Sequence, residues 1–234
     1  MLSRYHIEIT KNALQKFFTT PSLREIAHAN VAQDSIFSFF GVETRRHVCD
    51  CTVTESMAYV DEEHARIAAL AARTTDGKEQ RAALGRLLHT VQDFYAHTNY
   101  VALWVAEWAE ESKLDSQEML AAHQMTDGMA SQLRDHPDLC VAQWCLWRDP
   151  IYYVPLLGKL MRRWWLPACS HEAIHLDSPQ RGDYFAVAMA IARQRSLAEY
   201  ARAVAAIRQI GGQAAVARFH GATVLVSQPT FAQA

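Results

Sequence analysis

Residues 79–109 read EQRAALGRLLHTVQDFYAHTNYVALWVAEWA. The stretch is rich in Ala and Leu and holds no proline, so it predicts one long helix or two abutting ones. The same periodicity runs outward from it. HIEITKNALQKFF (6–18) carries apolar residues at Ile7, Ile9, Leu14, Phe17 and Phe18 and suits one helix. PSLREIAHANVAQDSIFSFF (21–40) opens on Pro-Ser and gives a second, and VTESMAYVDEEHARIAALAART (53–74) a third that ends in a turn cluster. LDSQEMLAAHQMTDGMASQLRD (114–135) reads as helical with a break near Asp127-Gly128. Residues 137–170 hold four prolines and four tryptophans and predict irregular or short-helical chain. A long final helix follows, with Ser178 as N-cap, Pro179 as first helical residue and Gly211-Gly212 as its stop. The fold class is therefore all-α. One domain is expected over 1–212, with 213–234 as a C-terminal tail or short strand (TVLV is β-branched).

Half of the 234 residues are hydrophobic, enough for one full core, and the net charge is −2. That balance gives no global reason for tight nucleic-acid binding, which rests on neutralising phosphates. Five cysteines without C-x-x-C spacing leave at least one free thiol in a monomer; a reduced compartment is the simplest reading, with one or two bridges as the alternative. No signal peptide and no apolar run of membrane-spanning length is visible, so a cytoplasmic location is expected, with signal-independent export as the alternative.

Within the opening stretch, His89, Asp93 and His97 recur every four residues. On a helix, steps of four drift by only about 40°, so the three share one face, yet the ends lie about 12 Å apart along the axis. Metal–ligand bonds are about 2 Å long, so one ion cannot take both ends. If all three bind metal, several ions are needed, and Asp93 can bridge two of them. A hydrogen-bonded His/Asp pair explains the spacing too. Further donors recur elsewhere: His6 near the start, Asp34, His47 and Asp50, and the run HEAIHLD, with His171, His175 and Asp177.

The segment LGRLLHTVQDFYAHTNYV resembles the signature of heterokaryon-incompatibility C-type proteins, a branch of the zinc-dependent phospholipase C and single-strand nuclease superfamily. The resemblance covers roughly residues 5–200 and implies a helical bundle of the phospholipase C type with three zinc ions. It implies that Asp34, His47, His89 and Asp93 hold one zinc, that Asp93 bridges to a second held by His6, and that His97 and His171 hold a third. The last ligand is either His175, which is favoured, or Asp177. The family's N-terminal Trp ligand is missing, and backbone near Ser3–Tyr5 or water would stand in. The implied activity is a phospholipase C-like hydrolysis of phosphatidylcholine-type lipid by metal-bound hydroxide, giving diacylglycerol and phosphocholine, with Asp34 as the base. The alternatives are a single-strand nuclease or nucleotidase, and a non-enzymatic metal-stabilised recognition protein.

Other features have plainer readings. His28, His64, His123, His136 and His220 fit no ligand position and are expected in core or surface roles. DEEH (61–64) is expected as a solvated acidic turn and Cys169 as packing. RRWW (162–165), with Trp144, Trp147, Tyr152 and Tyr153, is expected mostly as core near the metal mouth, with peripheral membrane contact as the other reading.

Overall fold

The computed structural model describes residues 1–34, 44–50, 52–73, 76–112, 136–145 and 148–222. Among them the chain is helical and has no strand. The helices are α1 (Ser3–Leu14), α2 (Thr20–Val31), α3 (Val53–Ala71), α4 (Lys78–Ala96), α5 (Tyr100–Ser112), α6 (Leu157–Trp164), α7 (His171–Ile174) and α8 (Asp183–His220). The expected helix over 114–135, residues 35–40 of the one expected over 21–40 and the strand expected at 223–226 lie outside the described residues.

Helix α4 is the axis. α2, α3 and α8 pack around it, and α1 packs on α2 and α8. From Ala83 to Ala96 every side chain except Arg86 is buried. A helix enclosed on all sides needs no polar stripe, and the polar residues His89, Thr90, Gln92 and Asp93 are buried within it. Gly85 permits the closest approach: a Cβ there would lie 2.4 Å from the Ile26 carbonyl oxygen. Leu84, Leu87 and Leu88 join Ile26, Ile67 and Phe219 in one core, while Phe94 and Tyr95 join Ile9, Trp104 and Ile191 in a second. Burying each such side chain contributes roughly 1.5–3 kcal/mol.

The opening stretch forms two helices, broken at His97–Asn99. The carbonyls that would accept the next helical turn are taken by other segments. The Leu176 N–H donates to the Ala96 carbonyl at 2.8 Å and the Ala142 N–H to that of His97 at 2.7 Å. Asn99 lashes the same loop, its Oδ1 accepting from the Cys140 N–H at 2.7 Å. Isolated bridge pairings join Thr98 to Val141 and Gln143 to Ser170. They set Cys140 beside Cys169, and the two form a disulfide with Cα atoms 5.8 Å apart. This corrects the expectation of Cys169 as packing.

Two boundaries move as well. Ser178-Pro179 open only a 3₁₀ turn, and α8 starts after Gly182. Gly212 (φ 65°) kinks α8 without ending it, so residues 213–220 are helix rather than tail. They stay because Ala215, Val216 and Phe219 are buried in the first core. Arg81 also caps the helix end, donating to the Arg218 and Phe219 carbonyls at 2.9 and 3.1 Å while pairing with Glu25. No helix of the described residues is long and apolar enough to cross a membrane.

Candidate metal centre

Four elements meet at the C-terminal half of α4. α1 brings His6; the 3₁₀ turn after α2 ends on Asp34; His47 follows the turn Thr44–Arg46; α7 opens on His171 and leads to Asp177. The donors form three groups that could hold a metal ion: His6, His89 and Asp93; Asp34, His47 and His89; His97, His171 and Asp177. Within each group the ligand atoms lie within 4.8 Å of one another.

The rings are aimed by their other nitrogens. His6 Nδ1 stands 2.8 Å from Gln92 Oε1, and that oxygen also accepts from Asn30 Nδ2 at 3.1 Å. The Gln92 amide nitrogen donates to Ser196 Oγ and Thr10 Oγ1, so its oxygen must accept and His6 Nδ1 must carry the proton. His6 Nε2 is then a bare lone pair, 3.2 Å from Asp93 Oδ1 and without a hydrogen-bond partner. His89 repeats the device. Its Nδ1 meets Asn30 Oδ1 at 3.3 Å, and its Nε2 faces Asp93 Oδ2 at 3.0 Å, His47 Nδ1 at 3.0 Å and Asp34 Oδ1 at 3.6 Å. Acceptors that converge without protons repel, and a cation between them removes the repulsion. Ring orientation by a second hydrogen bond is how histidine ligands are usually fixed.

Asp93 is fully buried, and its two oxygens serve different neighbours. Oδ1 faces His6, whereas Oδ2 faces His89 and, at 3.2 Å, His47. His97 leaves the helix axis: its Nδ1 meets the His47 carbonyl at 2.9 Å and its Nε2 meets Asp177 Oδ1 at 3.2 Å.

Electrostatics follow the same division. Burial, only partly countered by Asp93, lowers His89 to about 4. Burial and the neighbouring His97 lower His171 to about 2, so both rings are neutral and available as ligands at neutral pH. Asp93 and Asp177 are held well below the usual carboxylate range against the effect of burial, chiefly by the Met1 amine and adjacent histidines. Burial and that amine would lower His97, but Asp93, Cys49 and Asp177 raise it well above its ordinary value. The Met1 nitrogen lies 2.8 Å from Asp93 Oδ1, 3.0 Å from Asp177 Oδ1 and 3.1 Å from His97 Nε2. The carboxylates thus gather positive charge from an ammonium and a second proton on His97. A metal ion taken up at the third group would have to displace these protons.

A family model described as VWA7 N-terminal domain matches residues 5–145. The chain belongs to the VWA7 N-terminal domain family. This overturns the assignment to the phospholipase C and nuclease superfamily that the central motif suggested. No curated protein and no solved structure matches the chain. The family match spans His6, Asp34, His47, His89, Asp93 and His97 and stops short of His171 and Asp177.

Further expectations are corrected by the geometry. His175 stands beside the third group, stacked on His171 at 4.6 Å between centroids, with its Nε2 against Arg181 Nη2. Asp177 is the third donor of that group, and His175 Nδ1 stays beside it, 3.0 Å from Asp177 Oδ2. The backbone of residues 3–5 is taken up in α1, and Ser3 Oγ donates to Asp34 Oδ2 at 2.8 Å. Asp50 accepts from the Trp144 N–H and belongs to none of the three groups. DEEH is half core: Glu63 pairs with Arg86, and His64 with Glu199. Of the aromatic cluster, Tyr152 is buried and Trp144 meets His171 edge-on at 5.1 Å, whereas Tyr153, Trp164 and Trp165 are exposed. Trp147 and His123 lie outside the described residues. Gln92 and Asn30 were missed because their partners come from other helices, and no spacing within α4 marks them.

Proposed function

We propose that the protein is a zinc-dependent phosphodiester hydrolase acting on phospholipids, releasing diacylglycerol and the phosphorylated head group. The observation that carries this reading is the buried Asp93 carboxylate, whose two oxygens face two separate sets of imidazole lone pairs. Imidazole and carboxylate donors without thiolate would suit zinc, held by the groups His6, His89 and Asp93; Asp34, His47 and His89; and His97, His171 and Asp177. Zinc ions sharing a carboxylate supply an activated water and neutralise charge on phosphoryl oxygens.

The chain's own residues do the rest. Gln92 and Asn30 fix two rings in the ligating tautomer. Asp34 is exposed at the rim and held by Ser3, where it can accept a proton from an approaching water. Asp93, fully buried among His6, His47, His89 and the Met1 amine, is held ionised.

Elemental counting of zinc per purified chain, together with hydrolysis of short-chain phosphatidylcholine and of single-stranded DNA, tests the reading. About three zinc ions and turnover of the lipid support it. Preference for DNA makes the chain a nuclease with the same metals. Full zinc with no cleavage of either makes it a metal-stabilised recognition domain.

A further inference from the structure

Helix α6 is amphipathic in an unusual sense. Leu157, Leu160, Met161 and Trp164 follow i, i+3, i+4, i+7 spacing and form one apolar stripe. In a soluble domain such a stripe faces the core. Here Leu157 and Leu160 are exposed, and Trp164 is 76% exposed.

The helix meets the body through its neighbouring face instead. Gly158 is buried against the Tyr152 backbone, where a Cβ would collide with the carbonyl. Arg162 Nε pairs with Glu172 Oε1 at 2.8 Å. The flanks continue the apolar surface. Leu156, held at φ 63°, is 81% exposed, and Tyr153, Trp165 and Leu166 are exposed as well. Contiguous apolar surface of this kind marks an interaction site.

The remaining face of α6 carries Lys159 and Arg163, both exposed. Residues 153–166 contain three basic and no acidic residues, in a chain of net charge −2. We propose that Tyr153–Leu166 is a membrane-docking surface that seats the protein on an anionic lipid bilayer. Indole and phenol rings favour the bilayer interface, aliphatic side chains enter it, and Lys and Arg meet anionic head groups. A second copy would set like charges against each other, so self-association through this face is disfavoured.

The surface is joined to the candidate metal centre. Glu172, which holds Arg162, follows His171 on α7, and the Trp144 ring touches His171. Docking would bring the third donor group to the lipid. The proposal stands on the exposed stripe alone and holds whether or not the protein is a hydrolase.

The test is cosedimentation of the full chain with vesicles of phosphatidylcholine alone and of phosphatidylcholine mixed with phosphatidylserine, with no turnover required. The protein should bind the mixed vesicles preferentially. Trp164→Ser should lower partitioning about tenfold at unchanged thermal stability, since this side chain is 76% exposed. Lys159→Gln and Arg163→Gln should each cost about fivefold on the anionic vesicles. Absence of vesicle binding, equal partitioning onto both vesicles, or unchanged binding by the tryptophan variant overturns the proposal. A concentration-dependent dimer lost in the tryptophan variant, with no vesicle binding, assigns the face to a second copy instead.

Discussion

His6 Nε2 and Asp93 Oδ1 stand 3.2 Å apart in the interior, both side chains buried, and His6 Nε2 has no hydrogen-bond partner. Asp93 makes an equivalent approach with its other oxygen to His89 Nε2 at 3.0 Å. One buried carboxylate therefore joins two groups of donors.

This gives the first prediction. In Asp93→Asn one oxygen is replaced by an amide nitrogen, a donor that cannot ligate. The variant should lose two metal ions per chain by elemental analysis, whereas His97→Ala should lose one. Loss of a single ion in Asp93→Asn would show that Asp93 does not bridge.

Gln92 touches none of the proposed metals, yet it fixes the proton on His6 Nδ1. Gln92→Leu removes that acceptor and frees the ring to turn. Metal affinity at the group containing His6 should fall by about 10–100-fold, as for other partners of ligating histidines. Titration with a competing chelator measures this, and the third group should keep its ion.

The central helix and the candidate ligands on it were legible because both depend on local spacing. Periodicity placed α4, and the i, i+4 steps placed His89 and Asp93 on one face. What was not legible depends on distant partners. The break after Ala96 follows from amides at Ala142 and Leu176 claiming carbonyls at the helix end. The helical course of residues 213–220 follows from Arg81 and from the pocket that Phe219 fills. The meeting of Asp177 with His97 follows from the chain turning back after α7, where the Leu176 N–H reaches the Ala96 carbonyl, a long-range contact that spacing alone does not reveal.

Residues 140–143 form a splint between two ligands of the third group. The Ala142 N–H donates to the His97 carbonyl at 2.7 Å, and the His171 N–H donates to the Gln143 carbonyl at 3.0 Å. The disulfide between Cys140 and Cys169 closes that splint. Cys140→Ser should therefore weaken metal retention at His97, His171 and Asp177 while the Asp93-bridged pair is kept. Elemental analysis should show one ion lost per chain, and loss of all three would point to global unfolding instead.

Away from the metal groups, Glu199 on α8 is buried between His64 Nε2 at 2.7 Å and Arg195 Nε at 2.6 Å. Burial alone would raise its pKa, but the hydrogen bond from His64 and the charge of Arg195 outweigh it and hold the carboxyl below its ordinary value of 4.5. A folded-state value below the unfolded one means that the group stabilises the fold above that ordinary value. The contribution is lost as the pH falls through the lower, folded value. Glu199→Gln leaves His64 and Arg195 without their anion and should cost about 3–5 kcal/mol at neutral pH. Denaturant unfolding at several pH values checks this. The gap between the wild-type protein and the variant should narrow in acid, because protonated Glu199 then resembles the amide. A gap that stayed constant down through the acid range would show that the anion of Glu199 is not what stabilises this helix contact.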